Sequence, residues 1–206
     1  MRSAKLLSLV VSVVVALLCF TPARAGAQVS IGVGGQFLSL SGDDFEGTDA
    51  GFGGEAKVMF SAGKVVKLGG GVQYSSHNQD NLAASVKILG LIAEGRYMFA
   101  TASGKATPYV AGRGGWVQGR VSDPDFDGDG TPDANKLTSS GFAFGAGGGV
   151  LVSLSSSTSL DLGAVFHSVS LGDIDADGTT IPNSDSNGTV FQFRVGVSFM
   201  VGGAAR

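Results

Sequence analysis

From residue 28 onward, apolar and polar positions alternate with a period of two, and no helical apolar period persists. Eight alternating segments can be counted, at about 28–40, 51–61, 65–75, 84–99, 107–121, 138–154, 159–171 and 189–201. The last is the clearest. Phe191, Phe193, Val195, Val197, Phe199 and Val201 share one face, and Gln192, Arg194, Gly196, Ser198 and Met200 share the other. The second repeats this, with Phe52, Gly54, Ala56, Val58 and Phe60 opposite Gly53, Glu55, Lys57 and Met59. In the sixth, Phe142, Phe144, Ala146, Gly148, Val150, Val152 and Leu154 oppose Gly141, Ala143, Gly145, Gly147 and Gly149. An open sheet of such strands would leave two edges of unpaired backbone groups, and closure removes both. The pattern predicts an all-β chain: an eight-stranded antiparallel up-and-down barrel.

The connections alternate in character. Stretches 41–50, 76–83, 122–137 and 172–188 are long or polar, whereas 62–64, 100–106 and 155–158 are short, small and free of acid. Of the 17 acidic residues, 14 lie in the long set: Asp43, Asp44, Glu46, Asp49, Asp80, Asp123, Asp125, Asp127, Asp129, Asp133, Asp173, Asp175, Asp177 and Asp185. Alternate connections of an eight-stranded barrel share a rim, so one rim is long and acidic and the other tight.

Alternation does not say which face is inside. The polar face carries Glu55, Lys57, Lys67, Glu94, Arg96, Arg113, Asp161, His167 and Arg194 at mid-strand, among many of the 34 glycines. An eight-stranded barrel has an interior just filled by side chains, which suits small residues and paired charges. A water-facing exterior would be richer in Thr, Lys and Glu and poorer in Gly. This favours a greasy exterior in lipid, a transmembrane barrel, over a soluble periplasmic lipocalin-like barrel with its greasy face around a ligand. Unpaired charge inside would be costly, so Glu55, Glu94 and Asp161 are each expected to pair with a neighbouring Lys or Arg, filling the lumen.

The first 25 residues read as a targeting segment. Arg2 and Lys5 form a basic start, Leu6 to Phe20 an apolar run, and Ala23-Arg24-Ala25 a small-x-small cleavage site before Gly26, with Ala25-Gly26-Ala27 a second choice. The apolar run is shorter than the roughly 20 residues of a spanning helix. The expected organisation is a cleaved signal peptide at 1–25 and one barrel domain at 26–206. Cys19, the only cysteine, falls in the cleaved part, so no disulfide is expected. Removing Arg2, Lys5 and Arg24 leaves 11 basic residues against 17 acidic ones, a net charge near −6, which argues against nucleic acid as a partner.

Over essentially the whole mature chain the sequence resembles the small bacterial outer-membrane barrels of the OmpA/OmpX type. The residues that carry the resemblance are Thr107-Pro108-Tyr109-Val110-Ala111-Gly112-Arg113-Gly114-Gly115-Trp116, the glycine-rich sixth segment, and Phe193-Arg194-Val195-Gly196-Val197-Ser198-Phe199. Such proteins usually close on an aromatic residue in the last strand, whereas here Met200 to Arg206 follow Phe199. The resemblance implies a monomeric, non-enzymatic protein of the outer membrane, structural or surface-interacting, with tight periplasmic turns, longer external loops and membrane lipid as its main partner. No cofactor is required on this reading, and an extracellular ligand or surface would be met by the loops.

Two groups of residues could carry chemistry. Asp125-Phe126-Asp127-Gly128-Asp129-Gly130-Thr131-Pro132-Asp133 resembles the calcium loops of thrombospondin type 3 repeats and EF-hand-like modules. Asp125, Asp127, Asp129 and Asp133 would offer carboxylates and Thr131 its carbonyl, but Lys136 stands where a bidentate acid normally closes the shell. A poorer copy begins at Asp173-Ile174-Asp175-Ala176-Asp177-Gly178-Thr179. The other group concerns a lipid-modifying hydrolase, a third reading. Ser168 is adjacent to His167 and points to the opposite face, Ser170 also faces away, and His77 shows no evident partner, so no nucleophile and base are paired. Trp116, Tyr74, Tyr97 and Tyr109 are candidates for an interfacial aromatic girdle.

Overall fold

A computed structural model describes residues 28–42, 45, 47–79, 84–101, 105–122, 136–182 and 187–201. The chain forms β1 (Val29–Ser41), β2 (Gly51–Ala62), β3 (Val66–Gln79), β4 (Ala84–Met98), β5 (Ala106–Ser122), β6 (Lys136–Ser153), β7 (Thr158–Ala176), β8 (Thr179–Ile181) and β9 (Asn187–Val201). Each long strand pairs antiparallel with the next, and β9 returns to β1 in continuous register from Val29↔Val201 to Ser41↔Thr189. The ring is therefore closed by eight strands. The short β8 lies outside it, paired only to the tail of β7.

Two strands run past their expected ends. β3 continues through the polar residues Ser76, His77 and Asn78 to Gln79, and β7 continues past Leu171 to Ala176. The second extension places the Asp173 segment, expected in a loop, in a strand and hairpin. Asp177 (φ 49°) and Gly178 (φ 91°) are both left-handed, as a two-residue type I′ turn requires, and the Gly178 amide donates to Asp175 Oδ1 at 3.0 Å. Acids at alternate positions look like loop by composition, yet Asp173 and Asp175 occupy one face of an extended strand and Asp177 the turn that follows it.

Burial settles which face is inside. Phe144 is 65% exposed and Phe52 73%, whereas Glu94 is 5% exposed and Arg194 2%. Exposed hydrophobics circle the outer wall from Ile31, Leu68 and Tyr97 to Phe142, Phe166 and Phe193, while charges turn inward. This is the polarity of a barrel solvated by hydrocarbon. Many inward glycines allow close approach of the neighbouring strand and its side chains: a Cβ on Gly145 would collide with the Phe166 carbonyl and the His167 ring, one on Gly149 with the Leu162 carbonyl and the Tyr109 hydroxyl, and one on Gly71 with the Ala56 carbonyl and Lys57.

Candidate functional site: the layered lumen

At mid-height the inward positions of five strands hold a charge layer. Glu55 and Lys57 come from β2, Glu94 and Arg96 from β4, Arg113 from β5, Asp161 from β7 and Arg194 from β9. All are buried. Within each pair on one strand, i and i+2 place both side chains on the same face, so Lys57 Nζ reaches Glu55 Oε1 at 2.6 Å and Arg96 Nε reaches Glu94 Oε1 at 2.5 Å. Across the lumen, Arg194 grips Glu94 at 2.8 and 3.0 Å, and Arg113 donates to Glu55 at 2.9 Å. Asp161 receives Arg96 at 2.7 Å and Lys57 at 3.1 Å. Each of the three acids thus contacts at least two bases. Lys67 is half-buried on β3 and makes none of these ion pairs among the described residues.

Tyr109 joins this layer and is not a girdle residue. It is 2% exposed, donates to Asp161 Oδ1 at 2.7 Å, receives Arg194 Nη2 at 3.2 Å and lies under the Arg96 guanidinium at 4.2 Å. Its parity explains the reassignment: it alternates in phase with inward Ala111 and Arg113. Tyr74 and Tyr97, out of that phase on their own strands, stay exposed on the outer wall. On the side of the short connections, Met98, Tyr109, Ala111 and Leu151 form an apolar cluster that closes the lumen beneath the charges.

On the other side lies a layer of neutral polar groups. Gln192, fully buried, donates to Gln36 Oε1 and accepts through Oε1 from Arg113 Nη1 at 2.6 Å. His167 Nε2 also meets Gln192 Oε1, at 3.0 Å. An amide oxygen only accepts, so this nitrogen carries the proton. His167 is therefore a satisfied lumen residue, and Ser168 and Ser170 are exposed on the opposite face. His77, for which the sequence offered no partner, has two: Nδ1 meets the Asp49 carbonyl at 3.0 Å and Nε2 the Ser75 hydroxyl at 3.0 Å. Ser75 and His77 are 2% and 1% exposed, so the pair is sealed from any substrate and instead pins residue 49 to β3.

Toward the long connections the inward residues become apolar. Leu38, Leu40, Phe45, Val117, Ala143, Val169 and Val190 form a second cluster. They surround a cavity of about 240 Å³. Among the described residues the lumen is thus filled at and below the charges but not above them, because Val, Ala and Gly on β5 and β6 are too short to meet across it. The sequence reading missed this space, although the signal was present: inward Val169 and Leu171 are apolar where outward Ser168 and Ser170 are polar, the reverse of mid-strand.

The calcium candidates Asp125, Asp127, Asp129, Thr131 and Asp133 lie outside the described residues, as does the 1–25 segment. Among the described residues no group of three or more His, Cys, Asp or Glu side chains is placed to share a metal ion.

The family model for the outer membrane protein beta-barrel domain matches residues 10–199. Solved structures with the same fold include Neisserial surface protein A, at 17% identity and TM-score 0.60 over 84% of this chain and 98% of that one. A major outer membrane protein from Thermus thermophilus matches at 16% identity and TM-score 0.60, over 85% and 100% of the two chains. Ail, the attachment invasion locus protein of Yersinia pestis, matches at 10% identity and TM-score 0.54 over 85% and 99%; it has also been solved with the heparin analogue sucrose octasulfate, where the match has 12% identity and TM-score 0.50 over 85% and 97%. No match is found among curated proteins.

Proposed function

The chain belongs to the outer membrane protein beta-barrel domain family, and from that premise we propose that it is a non-enzymatic, monomeric barrel whose lumen is blocked at mid-height and whose long acidic connections meet extracellular partners. It resides in the cell outer membrane. The observation that carries the blocked lumen is the charge layer. Its seven buried side chains, with Tyr109, leave the acids and bases in mutual contact across the barrel. Opening a water path would separate paired charges, which is strongly unfavourable once one partner is lost.

Because every long strand is paired on both sides within one chain, no edge demands a second copy. The acid distribution favours cationic partners over polyanions, so a sulfated sugar of the kind solved with Ail is a poor fit to this rim. Residues 125–133 are the proposed calcium loop, supported by the spacing of their carboxylates, with calcium an optional ligand and not a required cofactor.

Planar-bilayer recording of the refolded protein tests the reading. Rare or small openings are expected. Steady conductance of large-porin size would overturn the blocked lumen, and recovery as a freely soluble periplasmic protein would contradict the placement in the membrane.

A further inference from the structure

Above the charge layer the inward side of the strands turns largely apolar. On the outer wall the exposed polar residues Ser76, Asn78, Lys87, Ser168 and Ser170 stand beside the exposed Phe52, Phe142 and Phe144, while the inward side at that level carries Leu38, Leu40, Val117, Val169 and Val190 with the buried Ser75 and His77. A membrane-crossing strand needs about 9–11 residues, and β6 and β7 have 18 and 19. The surplus extends beyond the lipid on the side of the long connections, which is the external side in this family of folds. There the outer wall is mixed in polarity and the inward side is largely apolar.

The described residues leave the inside of this extension unfilled. Its cavity of about 240 Å³ exceeds the engineered apolar cavity of about 150 Å³ that accepts benzene. Gln73, Gln192 and His167 lie along its polar boundary. Gln192 and His167 are satisfied by each other and by Arg113 and Gln36. Gln73 is not. It is 8% exposed, yet its Oε1 has no hydrogen-bond partner in the described structure, and neither has Thr138 Oγ1 on the cavity wall. A buried acceptor without a donor carries a desolvation cost, which a donor in the cavity relieves once a small turn of the Gln73 side chain brings Oε1 to the cavity wall.

We propose that the outer end of the lumen is a binding site for a small uncharged molecule with an apolar body and one hydroxyl, which donates to Gln73 Oε1. The body packs on Leu38, Leu40, Val117, Ala143, Val169 and Val190. Arg120, an exposed residue, also lines the cavity, but an ion seated among these apolar side chains would lose its hydration while the charges beneath are already paired, so an uncharged body is favoured. The proposal goes beyond the blocked barrel and needs only its orientation, with the cavity facing outward.

The test uses the full chain in lipid nanodiscs, with 4-fluorophenol and fluorobenzene as probes followed by fluorine NMR and empty nanodiscs subtracting partition into lipid. Saturable binding of 4-fluorophenol is expected. Gln73→Leu keeps the volume and removes the acceptor, so it weakens 4-fluorophenol by roughly three- to tenfold and leaves fluorobenzene unchanged. Ala143→Phe and, separately, Val117→Phe fill the space and abolish binding of both probes. The proposal is overturned if wild type shows no saturable binding, if a folded filling variant binds as wild type does, or if Gln73→Leu binds both probes unchanged. Heat-modified migration of each sample reports the barrel itself, so a failed site and a failed barrel give different results.

Discussion

Arg194 and Glu94, 100 residues apart in the chain, meet across the lumen through two parallel hydrogen bonds, Nη1 to Oε2 at 2.8 Å and Nη2 to Oε1 at 3.0 Å. Such a fork fixes both groups more firmly than a single contact would. Glu94 also holds Arg96 and lies 3.2 Å from Arg113 Nε, so three guanidiniums share this one acid. Glu94→Ala leaves three buried guanidiniums short of one partner, and we expect a loss of about 3–5 kcal/mol. Arg194→Lys keeps the charge but breaks the fork, for about 1.5–3 kcal/mol. Urea titration of the folded, heat-modifiable band measures both. A Glu94→Ala midpoint equal to wild type would show that the layer is not held by its ion pairs.

Gly149 is expected to act through Tyr109. A Cβ at this position runs into the Leu162 backbone carbonyl and also into the Tyr109 hydroxyl, which holds Asp161 and receives Arg194. Gly149→Val should therefore cost about 1–3 kcal/mol by overpacking. Tyr109→Phe, which removes the hydroxyl, should cost less on the Gly149→Val background than alone, with a coupling above about 0.5 kcal/mol. Strict additivity in this cycle would mean that the valine is resisted by backbone alone.

The hairpin of β7 and β8 depends on a left-handed Gly178. Valine there places a Cβ against the backbone in a conformation that costs roughly 1–2 kcal/mol. Gly178→Val should release the amides of 174–181 to hydrogen exchange without moving the stability of the ring, since β9 pairs with β7 independently of β8. Protection of those amides unchanged from wild type would count against the turn as the hairpin's anchor.

Calcium is expected to order residues 123–136 and to leave the barrel unaffected. With Lys136 at the closing position, the affinity should be no better than about 10⁻⁴ to 10⁻³ M. Calorimetric titration of the refolded protein against an Asp127→Ala, Asp129→Ala double mutant checks this. Equal uptake by the two proteins, or none by either at millimolar calcium, would leave the loop acidic and merely solvated.

Period two in the sequence was sufficient to place the long strands, because one greasy and one polar face per segment is a local property that no packing partner can change. The same alternation put Glu55, Lys57, Glu94, Arg96, Arg113, Asp161 and Arg194 on one face. The confinement of the other 14 acids to alternate connections marked one rim. What only the tertiary structure decided is which side chains meet. Glu94 finds Arg194, and Asp161 finds Lys57 and Arg96, because closure and stagger of the ring bring distant strands to one height, and no local period encodes that height. Tyr109 was misread for the same reason, since an aromatic near a strand end looks like a girdle until its phase against Arg113 is seen inside a closed wall. The outer cavity is the clearest case. β7 carries a short inversion of polarity of its own, but a space bounded by Leu38, Val117, Ala143 and Val190 exists only once the ring aligns the strand ends, because volume is a property of facing side chains and not of any one segment.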